Sequence, residues 1–337
     1  MVSKKNGSKL LIVMVCFIFL VAFSFAEGSK EAPTGGAEPI LIKLGHAQST
    51  SDVFHIASQK FAEICNEKSN GQIKVQVFPA GQLGSIRDMI EGLRIGTLQG
   101  VWDTPSRIET YTELASIFNI PYLIENRAHG ERVWESEVGE KLFSDMAANS
   151  GIRVVSMGWR GSRNMTTNRA IHTPADLKGM KLRVPPYDIP VKTWQTLGAN
   201  PTPLDWNEVY LALQQGTIDG QENPMSNNIS GKLYEVCPYL ILTEHVKNFS
   251  ALMLGDQFYK KLPDDARKII VEAAIEASKV QGDIVDASEA EFIQKFKDEG
   301  VVVINPDISA FKDKLKTFVS DNYPQMEEYV KTIEAMK

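Results

Sequence analysis

After residue 25 the 337-residue chain has no apolar run of the roughly 20 residues that a membrane-spanning helix needs, so its body is expected to be soluble. Cysteine is scarce: of three, Cys16 lies in an apolar leader, leaving Cys65 and Cys237. Two cysteines make no disulfide framework, and their spacing fits a single bridge or two buried thiols equally. Basic charge is also short, with 36 Lys and Arg against 42 Asp and Glu and a net charge of −6. A chain so balanced is not built to track a phosphate backbone, which excludes nucleic acid as the expected partner. The phosphate-cradling glycine loop, the zinc-ligand spacings, His-Glu-x-x-His and Gly-x-Ser-x-Gly are all missing. His46, His55, His129, His172 and His245 are scattered, and Asp219 and Glu222 form no pattern beyond what an acidic chain contains. No enzyme activity, cofactor or metal is therefore expected. No short internal repeat stands out, which argues against a solenoid.

What the chain does have begins at its N-terminus. Lys4, Lys5 and Lys9 precede an apolar run of 16 residues from Leu10 to Phe25, closed by Ser24-Phe25-Ala26. A charged start, an apolar middle and a small-x-small exit describe a secretory signal, with residues 1–26 as the signal peptide and periplasmic export as the consequence. An uncleaved anchor is the alternative. Residues 27–39 are small, polar and rich in Gly and Pro, and read as a flexible leader. Without residues 1–26, 33 basic side chains face 42 acidic ones, giving −9 over 311 residues. That length suffices for two lobes.

The body alternates strand-like and helix-like segments. Ile40–Leu44 and Ile73–Val77 carry apolar residues at every second position. Between them Val53, Ile56, Ala57, Phe61 and Ile64 follow helical spacing, with Ser51 or Asp52 as cap and Gly71 beyond the end. The order strand, helix, strand predicts an α/β fold with a mostly parallel sheet. Ile152–Met157, Lys181–Val184 and Phe249–Leu254 read as further strands, and Asn207–Gln215 as a helix. From Asp264 to Glu299 nearly every residue favours helix, between Pro263 and Gly300. Such a helix is longer than one lobe, and is expected to run across both as a spine, with Gly282 as a place where it can bend.

Residues 159–224 concentrate Trp, Arg, Asn, Pro and Gly, a composition that suits loops between strands. Arg183 lies inside the strand-like Lys181–Val184, where a charge is costly unless matched. Its planar fork suits a carboxylate, supplied either by a ligand or by an internal acid. Arg163 and Arg169 follow the preceding strand. Trp102, Trp159 and Trp206 offer flat apolar faces for a ring, or simply core packing. Asn223, before Pro224, carries both a donor and an acceptor.

These segments together resemble the solute-binding subunits of TRAP transporters, the tripartite ATP-independent periplasmic family. The resemblance is carried by Gly161-Ser-Arg-Asn-Met-Thr-Thr-Asn-Arg169 and Thr173-Pro-Ala-Asp-Leu-Lys-Gly-Met-Lys-Leu-Arg-Val-Pro185. Leu197-Gly-Ala-Asn-Pro-Thr-Pro203, Glu208-Val-Tyr-Leu-Ala-Leu-Gln-Gln-Gly216 and Asp219-Gly-Gln-Glu-Asn-Pro224 continue it in order. Gly81-Gln-Leu-Gly84 and the long helix extend it over most of residues 40–325.

The resemblance implies a two-lobed α/β clamshell of the periplasmic-binding-protein type, spanned by a long helix, with ligand held between the lobes. Residues 40–160 with 249–285 are expected to form lobe I, and 161–248 with 286–337 lobe II. It implies that Arg183 pairs with a ligand carboxylate, that Arg163 and Asn223 face the ligand, and that Trp206 lines the cleft. Where sialic-acid binders of the family carry polar and acidic residues, this chain has Ala47, Ser85, Thr104 and Pro186, which disfavours a sialic acid. Arg107, Trp159, His46 and Gln48 are further candidates for ligand contact. The expected ligand is a small organic acid, first a hexuronate such as glucuronate or galacturonate. C4-dicarboxylates and 2-keto acids stay open. The expected partners are the small and large TRAP permease subunits, and the chain itself is expected to be a monomer without cofactor. An ATP-driven transporter's binding protein, an exported uronate-acting enzyme and a sensor are the competing readings. Intact-mass measurement of the exported protein should show the loss of residues 1–26; a retained leader would establish the anchor instead.

Overall fold

Alternation makes a strand of Ile40–Gly45 (β1), in which Ile42 and Leu44 are buried while Leu41 and Lys43 face outward. The computed structural model of the protein describes residues 38–337, so the signal sequence and nearly all of the leader lie outside the described residues. The helix Val53–Lys68 follows β1 and starts on Asp52, whose Oδ1 accepts the Phe54 amide at 2.9 Å. Its inward face runs through Val53, Phe54, Ala57, Phe61, Ile64 and Cys65. Ile56, expected on that face, is instead left exposed. The chain then returns as Ile73–Phe78 (β2), parallel to β1 with Ile42 opposite Val75.

The remaining strands are Gly100–Asp103 (β3), Ile152–Thr167 (β4), Lys181–Val184 (β5), Asn200–Pro203 (β6), Gly220–Pro224 (β7), Tyr239–Ile241 (β8), Lys247–Gly255 (β9) and Val302–Ile304 (β10). They join in the order β2-β1-β3-β9-β4-β7-β5-β6, with β8 on β4 and β10 on β8. The sheet is mixed, correcting the expectation of a mostly parallel one. β3 with β9, and β4 with β9, β7 and β8, are antiparallel, while the outer pairings and β8 with β10 are parallel. Buried apolar runs carry no mark of strand direction, so β9, buried almost from end to end, gave none.

β4 holds the architecture together. Its first part, Ile152–Ser162, pairs with β9, and its last part, Arg163–Thr167, pairs with β7. The strand runs ten residues beyond the expected Met157, because the small and polar residues that read as loop are buried under neighbours on both sides. Two register shifts interrupt it, at Val154/Ser156 and at Trp159/Gly161. Gly161 takes φ +91°, which a side chain resists, and a Cβ there would meet Val285 at 3.2 Å.

The helix Asp264–Asp298 is unbroken, about 52 Å long at 1.5 Å per residue, and packs across β4 and the helix Val53–Lys68. Gly282 lies inside this continuous helix. It makes room for Arg127, whose guanidinium a Cβ would meet at 2.9 Å and which pairs with Asp283 and Asp286. Deep on the helix's inner face, Gln281 accepts from Trp102 Nε1 at 3.0 Å and donates to the Trp159 carbonyl at 2.8 Å and to Ser250 Oγ at 2.9 Å. The C-terminal segment returns to touch distant parts of the chain. The His129 Nε2 lies 2.9 Å from the Ile333 carbonyl, and Tyr323 donates to Asp188 at 2.7 Å. Cys65 and Cys237 are both buried free thiols, not a bridge.

Gln281→Leu keeps the volume and removes the amide. It should lower the unfolding free energy by roughly 3 kcal/mol, the cost of leaving the Trp102 N–H and the Trp159 carbonyl unpaired. Urea denaturation measures it, and an unchanged midpoint would deny the amide its structural part.

Candidate functional site

Four arginines line one cavity beside the centre of the sheet: Arg107, Arg160, Arg163 and Arg183. Arg160 and Arg163 both come from β4, three residues apart. In an even strand such residues face opposite sides. The register shift between Trp159 and Gly161 turns the strand so that both guanidiniums reach the same space. Arg183 comes from β5, held between β6 and β7 with Gln221 as its β7 neighbour in register. Arg107 comes from the short turn of helix after β3.

Three of the four are matched by acids. Arg163 forks onto Glu222, with Nε at 2.5 Å from Oε2 and Nη2 at 2.8 Å from Oε1. Burial pushes the Glu222 carboxyl up, but the Arg163 charge and the His245 hydrogen bond outweigh it and hold it at about 2. Arg107 Nε donates to Asp103 Oδ1 at 2.8 Å and its guanidinium stacks over Tyr187 at 4.9 Å. Arg160 lies over Phe54, bonds to Asn227 and approaches both Asp52 oxygens at 3.4 Å. Burial brings Arg160 down to about 10, with Asp52 and Asp103 working against the fall.

Arg183 differs. It is 2% exposed, and among the described residues no carboxylate lies within salt-bridge distance of it. Its Nε and Nη2 donate to the Leu204 carbonyl at 2.8 and 2.6 Å. Burial pulls the guanidinium down to about 9, still charged at neutral pH, and Arg163 and Arg107 add to the fall while Glu222 opposes it. Among the described residues the charge of this buried fork has no acid of its own.

Of the residues singled out from the sequence, Arg183, Arg163, Asn223, Trp206, Arg107 and Gln48 come together on the cavity wall. Asn223 is tied to Gln221 and Arg163, at 2.6 and 3.1 Å. Trp206 opens its helix and lies against Gly231, where a Cβ would strike the indole at 2.8 Å. Trp159 and His46 are not on the wall. Trp159 packs edge-on against Phe249 in the core, and Trp102 is fully buried beside Phe61. His46 is fully buried with its Nε2 3.2 Å from His55 Nδ1. Arg169 is exposed and donates to the Lys178 carbonyl.

Sequence reasoning missed Arg160, Asp103, Asn119, Tyr187 and Asn248, which also line the cavity. The signal for Arg160 was a cation in the same strand as Arg163; only the bulge, invisible in the sequence, brings it to the same side. Between these walls about 20 Å³ is free. A larger cavity of about 290 Å³ shares Arg107 and Tyr187 and continues past Ile86, Tyr111, Leu204 and Asp205.

The sequence signature of the bacterial extracellular solute-binding proteins, family 7, matches residues 44–325. The chain belongs to that family. A solute-binding protein of Roseobacter denitrificans is 33% identical over 286 residues, covering 85% of this chain and 88% of its own. The 2,3-diketo-L-gulonate-binding periplasmic protein of Escherichia coli is 30% identical, covering 93% of this chain and 97% of its own. A solved TRAP periplasmic solute-binding protein from Roseobacter denitrificans with bound L-galactonate superposes with a TM-score of 0.84 at 32% identity, over 88% of this chain and all but 1% of its own. A second from that organism, with bound β-D-glucuronate, gives 0.83 at 27%, over 88% of this chain and 100% of its own. The fold is therefore the two-lobed α/β type of the TRAP solute-binding proteins, and the family's members bind solutes outside the cytoplasm rather than transform them. Among the described residues no helix is long and apolar enough to cross a membrane.

Burial, and then the neighbouring His55, hold His46 down at about 4 against an ordinary 6.5. The depressed value means that its contribution to stability is complete above pH 6.5 and is lost as pH falls through 4, at up to roughly 1.4 kcal/mol per pH unit. Glu222 keeps its contribution to lower pH, losing it between 4.5 and about 2. Urea midpoints at pH 7, 5.5 and 4 should fall, and His46→Gln should flatten the fall. An identical slope in the variant would remove His46 as the cause.

Proposed function

We propose that the chain is the extracytoplasmic solute-binding subunit of a TRAP-type secondary transporter. It captures a sugar acid, a hexuronate or a close relative, between two lobes and delivers it to the small and large membrane subunits. Arg183 carries the reading: a buried guanidinium that lacks a carboxylate is matched by the carboxylate of the ligand. The bound L-galactonate and β-D-glucuronate of the similar structures, and the 2,3-diketo-L-gulonate of the Escherichia coli relative, are six-carbon acids of this kind. Trp206 is the one tryptophan of the three on the wall, so contact with a sugar's apolar face falls to it. Arg163, Arg107, Asn223 and Gln48 supply the remaining polar contacts. His46 and Trp159 act from behind, as packing.

The two lobes consist of residues 40–160 with 249–285 and 161–248 with 286–337. The change of β4's partner from β9 to β7 just beyond Gly161 supports that boundary, as does the pairing of β10 with β8. About 20 Å³ is room for a water or two, so a sugar acid enters only when the walls part. Hinge opening and closure about β4 and β9 follows. Cleavage after Ala26 releases the mature protein into the periplasm, where it works as a monomer.

Protein stripped of ligand by unfolding and refolding should melt higher with one member of a panel of uronates, aldonates, 2-keto acids and C4-dicarboxylates. Ligand at about 100 times its Kd adds roughly 2.7 kcal/mol of stability. Arg183→Ala should abolish the shift. A shift with another acid class replaces the ligand and keeps the role; no shift with any acid overturns the carboxylate site.

A further inference from the structure

Charge and hydrogen-bond inventories of the cavity agree on a point that the sugar-acid reading leaves open. Arg107, Arg160, Arg163 and Arg183 contribute four positive charges, and the buried acids against them are Asp52, Asp103 and Glu222. His46 and His245 also adjoin these groups, and burial holds both imidazoles below their ordinary value, toward the neutral form. Asp205 acts on Arg183 from the larger cavity, where it is partly exposed and screened. Among the fully buried groups one positive charge is left over, at Arg183; half-buried Glu109 acts on Arg107 from outside this set.

The wall also carries unspent polar atoms. Asp103 Oδ2, Asn248 Oδ1, Arg160 Nη1, Asn119 Nδ2 and the Tyr187 hydroxyl are all buried without a partner. Donors and acceptors stand mixed. A hydroxyl group both gives and accepts a hydrogen bond and can satisfy such a set; a carboxylate only accepts. Asn119 and Asn248 can each turn the amide over to suit either group. Asp103 has no such freedom. Its Oδ1 already accepts from the Thr104 amide at 2.7 Å and from Arg107 Nε at 2.8 Å. Its Oδ2 is a fixed acceptor, 2% exposed with its residue, at the wall of the cavity.

We propose that Asp103 determines specificity, restricting the site to acids with a single carboxylate by accepting a hydrogen bond from a ligand hydroxyl and repelling a second carboxylate. The inference rests on the sugar-acid reading of the same site and narrows it: aldonates and uronates enter, the dicarboxylic acids made by oxidising their far end do not. Arg183 takes the carboxylate, and Asp103 reads the opposite end for the absence of another. Acids in which that end is a carboxylate meet the Asp103 oxygen with like charge, enough to weaken binding by about 100-fold or more.

Calorimetric titration with two matched pairs tests this: L-galactonate against galactarate, and D-glucuronate against D-glucarate. Within each pair the carbon chain is kept and one end becomes a second carboxylate. Wild type should prefer the monoacid of at least one pair by about 100-fold, and Asp103→Asn should narrow the preference at least about 10-fold, chiefly by gaining affinity for the diacid. Equal wild-type affinity for both members overturns the proposal without any variant. A preference that survives Asp103→Asn unchanged overturns it as well and leaves the sugar-acid reading standing. Binding of none of the four acids overturns both.

Discussion

A guanidinium taken out of water must meet a negative charge, and the centre of this protein is organised by that demand. Four arginines converge on a space that admits about 20 Å³, and three acids are folded in beside them. Each acid is itself secured: Glu222 by Arg163 and His245, Asp103 by the Thr104 amide, Asp52 by the Phe54 amide and the Ser230 hydroxyl. Asp52 therefore caps a helix of one segment and neutralises a cation of another, so the start of that helix and the middle of β4 cannot shift independently. What remains unmatched is Arg183, and the fold leaves it so at a cost.

Fold and site were legible to different depths. The helix Val53–Lys68, the strands around it and the long helix are local patterns, and periodicity exposed them to within a few residues. The direction of β9 and the length of β4 were hidden, because they depend on pairings made between residues about a hundred positions apart. In the site, Arg183 could be found because a charge inside an apolar strand is anomalous in the sequence itself. Trp102 and Trp159 misled, since an indole in the core and an indole in a cleft have the same local surroundings. Asp103 and Asn248 stayed unseen because what marks them is atoms without partners, which no spacing encodes.

The long helix is a clamp as well as a spine. Six of its ten buried residues are Ala, Ser or Gly, which brings it close to the sheet, and Gln281 uses that closeness to hold Trp102 of β3 and the Trp159 carbonyl of β4. Both grips lie within two residues of cavity-lining groups, Asp103 on one side and Arg160 on the other. Helix, core and cavity thus share one set of hydrogen bonds, and a disturbance to any of them reaches the arginines.

The bulge beside Gly161 carries one more consequence, for the way such a protein diversifies. Arg160 and Arg163 share a cavity only because one extra residue is stored in β4 at that point. The residue left without a partner in β9 is Arg160 itself, so losing it would leave every other pairing of β4 with β9 in place and take one cation from the cavity in a single event. Side chains on the wall can therefore be exchanged one at a time with the strand unaltered, but a change in the number of residues at this point of β4 changes the charge of the cavity itself.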